Sequence, residues 1–204
     1  MRAQLREPGF EHQETIETAG KSAATGGITT IIALPNTDPV IDDVAGVEFI
    51  ARRARKVGLA KVFVYGAVSK GIEGKEITEL GLLHQAGAVA FCDGIQTIAS
   101  ARLLRQALAY STFFDFAHIS TGESVEVIRK AKKRGLKVTC DTAPFYFALN
   151  ENAVSDYRTF AKLSPPLRSE DDRQAIVAGL ADGTIDAIAS DHNPQDVFSK
   201  RLPF

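Results

Sequence analysis

Short, nearly continuous apolar runs alternate with amphipathic stretches along the chain. The runs are residues 26–35 (GGITTIIALP), 60–69 (AKVFVYGAVS), 86–94 (AGAVAFCDG), 113–120 (FFDFAHIS), 136–144 (LKVTCDTAP) and 185–194 (IDAIASDHNP). Each ends in polar residues, as parallel strands covered on both faces do when their C-terminal ends carry function. Between them, residues 12–25, 42–58, 98–110, 122–135 and 169–183 have the spacing of amphipathic helices. The stretch 42–58 opens on acidic residues, closes on basic ones and stops at Gly58, as a helix with a favourable macrodipole should. With residues 1–5 (MRAQL) as a first strand, seven strands are predicted, starting near residues 1, 28, 61, 88, 113, 136 and 184. Repeated strand–helix units imply an α/β fold with a parallel sheet and right-handed crossovers.

A complete eight-stranded (β/α) barrel takes about 250 residues. The chain has 204 and stops soon after its last strand. The expectation is a single domain over residues 1–204, a shortened TIM-like barrel of about seven parallel strands that lacks one βα unit and the final helix. An open doubly wound sheet is the alternative, but no glycine-rich dinucleotide loop supports it. The composition, 45% hydrophobic and 24% charged, suffices for one sizeable core. A net charge of −1 gives no reason to expect nucleic acid or a membrane as partner. No apolar run has the length of a membrane span and no signal peptide is visible. Cys92 and Cys140 lie in apolar, strand-like contexts and are expected as buried thiols, which suits the cytoplasm.

The chemistry is expected at the polar strand ends: Arg6, Pro35-Asn36, Asp93, His118 and Asp191-His192. In a barrel these converge on one mouth. Each has a plain alternative. Arg6 can pair with Glu7 or Glu11, Asn36 can serve a loop, and Asp93 before Gly94 can form a turn. His118 can be a half-buried polar cap, and Asp191 can belong to a turn beside Pro194. Ser120-Thr121-Gly122 can hold an anion at a helix start or simply cap that helix. The segment LSPPLRSEDDR (163–173) is expected as a rigid loop with a cap at Ser169, and the basic run 129–135 as a solvated helix end.

In combination, the motifs resemble those of the class I dihydroorotases of the amidohydrolase superfamily. The matching segments are LREPG (5–9), GGITT (26–30), LPNTDPV (34–40), AHISTGESVEVIRKAK (117–132), SPPLRSEDDR (164–173), LADGTIDAIASDHNP (180–194) and SKRLPF (199–204), in family order. The resemblance implies a zinc-binding His-x-His pair just before LREPG. Here those positions are Arg2 and Gln4. A guanidinium has no lone pair to offer a metal. By the same resemblance Arg6 and Asn36 hold a substrate carboxylate. Asp93 and His118 are metal ligands, and Asp191 is the catalytic metal-bound carboxylate. Gln195 stands in place of a histidine, and Pro144-Phe145-Tyr146 in place of Pro-His-His. A strand bearing a further metal histidine has no counterpart between 98–110 and 117–120.

These departures imply a dihydroorotase-like, catalytically inactive scaffold or minimised barrel of pyrimidine biosynthesis without zinc, its ligands Asp93, His118 and Asp191 vestigial. Two alternatives stay open: weak metal-dependent hydrolysis of dihydroorotate or a related cyclic amide, and a small carboxylate-binding module built on Arg6 and Asn36. An anion is expected near Arg6. An exposed face on the last strand predicts a homodimer or higher oligomer that covers Phe198 and Phe204, or a tail at 196–204 folded back as a cap. The resemblance adds aspartate transcarbamoylase as a partner.

Overall fold

The computed structural model describes residues 2–96, 102–103, 106–107, 114–116 and 119–203. Its contacts divide the chain into two compact units, residues 1–114 with 191–194 and residues 115–190 with 195–204.

The first unit is built on a parallel sheet in the order β1 (Arg2–Ala3), β2 (Thr30–Ala33), β3 (Lys61–Gly66), β4 (Ala88–Phe91). Ala3 lies opposite Ala33, Ala33 opposite Val64, and Gly66 opposite Phe91, so the four strands end along one edge. Leu5, Ile16, Ile31, Leu34, Ile50 and Leu83 form its buried apolar core. Helix α1 (Ile16–Thr25) starts later than the expected residue 12. Thr15 accepts the Thr18 amide and Thr18 caps Thr15 in return, so the local hydrogen bonds place the boundary there. Helix α2 (Val44–Val57) follows the pattern closely. Asp43 caps it by accepting the Gly46 amide, and Gly58 ends it in the left-handed region at φ 68°. Helix α3 (Leu80–Ala86) was not anticipated, because seven residues show too few repeats of the helical period. The helix expected over 98–110 lies mostly outside the described residues. Residues 102–103 and 106–107 are helical, with Leu103 and Ala107 buried.

The second sheet has the order β5 (Phe114–Phe116), β6 (Val138–Thr142), β7 (Ala187–Ile188). Helices α4 (Gly122–Lys133), α5 (Pro144–Ala148) and α6 (Glu170–Ala181) follow in this unit, α4 capped by Thr121 and α6 by Ser169. Gly179 lets α6 sit tightly, since a Cβ there would come within 3.1 Å of Val125 and Ile185. The tail carries a short helix, α7 (Val197–Arg201), where none was expected. Lys162 Nζ donates to the carbonyls of Leu202 and Pro203 at 3.0 and 3.2 Å, and Lys200 Nζ donates to the Lys162 carbonyl. The tail thus lies back on its own unit.

Among the described residues, strand occurs within or beside each of the apolar runs and is shorter than the run. The last run, expected as one strand over 185–194, is divided. Its first part is β7, paired with β6, and Asp191 then turns the backbone through φ 48°. His192 bridges in parallel to Ala3 beyond that turn, and its carbonyl accepts the Gln4 amide at 2.9 Å. Both cysteines are buried free thiols, as expected. No described helix is long and apolar enough to cross a membrane.

Candidate functional site

The C-terminal edge of the first sheet gathers the polar residues. Gln4 and Arg6 follow β1, Asn36 follows β2, Ser69 follows β3 and Asp93 follows β4. Because the strands are parallel and in register, these positions share one edge. Residues 191–193 run beside β1 through the Ala3–His192 bridge and join them.

The loop after β1 is shaped by what its side chains bury. Leu5 enters the core, Arg6 takes a left-handed φ of 60°, and Glu7 turns inward. Glu7 accepts Arg53 Nε at 2.6 Å with one oxygen and the Ile16 amide at 2.9 Å with the other, which anchors the start of α1. Gly9, at φ 97°, lets the chain pass against Asp38, where any Cβ would fall 2.3 Å from the Asp38 carbonyl. Much of LREPG is therefore a structural brace. Arg6 is the exception. Its Nη2 donates to Asn193 Oδ1 at 2.5 Å, while Glu11 accepts the Gly9 amide and Glu7 is held by Arg53. The expected alternatives for Arg6, pairing with Glu7 or Glu11, do not occur. Burial lowers the Arg6 pKa from its ordinary value.

Asn36 is tied into the same cluster. Its Nδ2 donates to Gln4 Oε1 at 3.1 Å, and Gln4 is only 2% exposed. Gln4 Nε2, Arg6 Nε and Asn36 Oδ1 are among the buried atoms of the described residues that have no hydrogen-bond partner. Such atoms cost free energy unless something meets them. His192 Nε2 lies 2.6 Å from Glu14 Oε2. Glu14 carries no signal in the sequence, since it belongs to no motif and falls inside the helix expected over 12–25.

Asp93 is 3% exposed and serves a loop. Its Oδ1 accepts the Val68 and Ser69 amides at 2.8 and 2.9 Å, and its Oδ2 accepts Ser69 Oγ at 2.6 Å. Three donors thus already hold the carboxylate that the resemblance assigns to a metal. Arg2, 4% exposed, brings a guanidinium to β1 where an imidazole would be needed. Asp191 sits at the backbone turn, at φ 48°. His118 lies outside the described residues. Among the described residues no three His, Cys, Asp or Glu side chains are grouped to hold a metal ion. The donors present do not fit the zinc centre that the resemblance implies, which takes at least three protein ligands when catalytic.

In the second unit the Ser120-Thr121-Gly122 turn is a cap. Thr121 accepts the Ser124 amide, and the Gly122 amide donates to Asp172 at 2.8 Å, so the helix start is met by the chain's own carboxylate. That hydrogen bond holds the Asp172 carboxyl below its ordinary value. Tyr146 is buried, stacks edge-on against Phe145 and donates its hydroxyl to the Pro165 carbonyl at 2.7 Å. This is core packing at the Pro-Phe-Tyr position. Gln195 is exposed.

Known proteins place this arrangement. Residues 1–127 match the family described as dihydro-orotase-like. The chain is 40% identical to the dihydroorotase of Acetivibrio thermocellus and 38% identical to that of Desulforapulum autotrophicum, with 98% of this chain and 60% of each relative covered. The match to the former runs over 256 residues, more than the 204 here, so that relative carries residues with no counterpart in this chain. The chain spans about 60% of the length of these curated relatives. Among solved structures, the L-hydantoinase (dihydropyrimidinase) of Arthrobacter aurescens superposes with a TM-score of 0.74 at 21% identity, covering 98% of this chain and 58% of that one. The Saccharomyces cerevisiae dihydroorotase in complex with 5-fluoroorotic acid gives 0.70 at 12% identity, covering 98% and 71%. The inactive dihydroorotase-like domain of the Chaetomium thermophilum CAD-like multifunctional protein gives 0.60 at 14%, covering 94% and 62%. These likenesses show a fold of the TIM-barrel kind. With the motif order, the extent of the family match and the identity to curated dihydroorotases in agreement, the chain belongs to the dihydro-orotase-like family.

Proposed function

We propose that this chain is a non-hydrolytic, zinc-free member of its family, a shortened barrel in which the metal site has been given up. The observation that carries this is the pair of buried side chains on and just after β1, Arg2 and Gln4, a cation and a neutral amide where metal chemistry needs imidazoles. A metal-activated hydroxide is the nucleophile in hydrolysis of a cyclic amide, and a cation placed beside a zinc site opposes occupancy. The greater length of the aligned relatives supports the loss of a strand–helix unit. Exposed Ile188 and Phe198, at 55% and 82%, suit a homodimer interface, which light scattering over a concentration series would detect.

The test is elemental analysis of the purified chain after incubation with excess zinc, together with dihydroorotate turnover. The expected result is far less than one zinc per chain and no turnover above buffer. One zinc per chain, with turnover abolished by Asp191→Ala, would overturn the proposal in favour of a weak metal-dependent amidohydrolase. A second reading, a carboxylate clamp, is supported by Arg6 being left by both nearby glutamates. Stabilisation by dihydroorotate in a thermal-shift assay, lost in Arg6→Met, is its expected signature.

A further inference from the structure

The first unit holds a cavity of about 860 Å³ at the start of its sheet, the end opposite to the polar edge. Its lining includes the segments that lead into the strands: residues 27–29 before β2, 58–60 before β3 and 86–87 before β4. One wall is helix α2, where Val47, Ile50, Ala51, Ala54 and Arg55 recur at intervals of three and four and so share a stripe. Val47, Ile50, Ala54 and Val64 are its buried part. The hollow is left by small residues, with Ala51 on the helix and Gly58, Ala60 and Gly87 in the loops. Leu59 and Phe63 also line it and remain 43% and 44% exposed. Helix α1 packs close against Leu59, since a Cβ on Gly20 would lie 3.2 Å from the Leu59 Cβ.

The charged residues in this lining are Arg55 and Lys61, both exposed, and no acidic residue accompanies them. Among the described residues neither head group has an ion-pair partner. Arg55 also suits the C-terminal end of its helix, but Lys61 opens a strand and has no such use. We propose that this cavity binds a medium-chain alkyl carboxylate, its chain along the apolar walls and its head between Arg55 and Lys61. The volume falls within the ~300–1,000 Å³ of small-molecule sites. Walls of this kind hold water poorly, so an alkyl chain that displaces it gains affinity. The guanidinium fork matches a carboxylate, and the ammonium adds charge. The site shares no residue with the polar edge, so this inference stands whether or not the chain binds zinc.

The experiment is isothermal titration calorimetry of the full chain with sodium octanoate, sodium decanoate and 1-octanol. The expected result is saturable one-to-one binding, with decanoate tighter than octanoate by about fifteen-fold for its two further methylenes. 1-Octanol should bind about five-fold more weakly than octanoate, because it lacks the charge. Ala51→Leu fills the cavity from a helix position that suits leucine, and should abolish binding. The double variant Arg55→Gln/Lys61→Gln changes only exposed side chains. It should erase the preference for octanoate over 1-octanol while keeping the dependence on chain length. No binding, equal affinity for octanoate and decanoate, or a preference for octanoate that survives the double variant would each overturn the proposal. So would full decanoate affinity in a folded Ala51→Leu. A chain that ignores decanoate, and whose oligomer dissociates in Ala51→Leu by light scattering, would assign the cavity to a second copy instead.

Discussion

Asp93 separates a loop anchor from a metal ligand, and its replacement gives opposite results in the two cases. Its carboxylate is the acceptor for the Val68 amide, the Ser69 amide and the Ser69 hydroxyl, at 2.8, 2.9 and 2.6 Å, and both residues that donate are fully buried. Asp93→Ala leaves two backbone donors without a partner and without water. At about 1–3 kcal/mol for each of the two orphaned buried groups, and with the hydroxyl free to turn elsewhere, the loss is about 2–6 kcal/mol. That is a large part of the ~5–15 kcal/mol by which a domain is stable. Asp93→Asn keeps an oxygen for both amides. Its Nδ2 then faces Ser69 Oγ, which already receives the Gly74 amide at 2.8 Å and can accept again. It loses the charge assistance, about 1 kcal/mol. Urea denaturation of the three proteins, in chelator and in excess zinc, is the assay. The expected order of stability is wild type, Asp93→Asn, Asp93→Ala, the same in both media. Full stability of Asp93→Ala in chelator, or a loss that appears only with zinc, would refute the anchor and return Asp93 to the metal.

Other expectations follow from single contacts. Glu170 is held down to about 2 from an ordinary 4.5 by hydrogen bonds from Arg173, Asn150 and Gln174. A carboxylate depressed in the folded state stabilises fully above its unfolded pKa and ceases to do so as pH falls through the folded one. Glu170→Gln should therefore flatten the fall in melting temperature between pH 4.5 and about 2, and an unchanged slope there would count against the contact. Gly9→Ala must place a Cβ 2.3 Å from the Asp38 carbonyl at φ 97°, and should cost about 2 kcal/mol or more in thermal melts. Gly179→Ala pushes a methyl to 3.1 Å from Val125 and Ile185, with an expected loss of about 1–3 kcal/mol that a compensating Ile185→Val should partly restore.

The polar edge shows where reading the sequence stops. The positions of Arg6, Asn36 and Asp93 at strand ends follow from the apolar runs before them, and so does their common edge. Their partners do not. Arg6 has glutamates one and five residues away, yet it bonds Asn193, 187 residues along the chain. Asp93 bonds residues 24 and 25 positions back. Asn36 and Gln4, which drew attention for separate reasons, turn out to be joined. Sequence neighbours compete for a side chain only when the backbone aims it at them. At Arg6 a left-handed φ and the burial of Leu5 and Glu7 aim it away.

What the amino-acid sequence determined by itself is local or cumulative. Apolar runs, caps such as Asp43, Thr121 and Ser169, and the stop at Gly58 act over at most four residues, so each is complete within its own segment. The ordered motifs identified the family because many weak matches add. Only the tertiary structure decided that the run at 185–194 is two pieces, one paired with β6 and one beside β1, and which donors and acceptors at the strand ends meet and which stay unmet. Those outcomes depend on register between strands far apart in sequence, and register is set by packing of the whole sheet rather than by any segment's own preference.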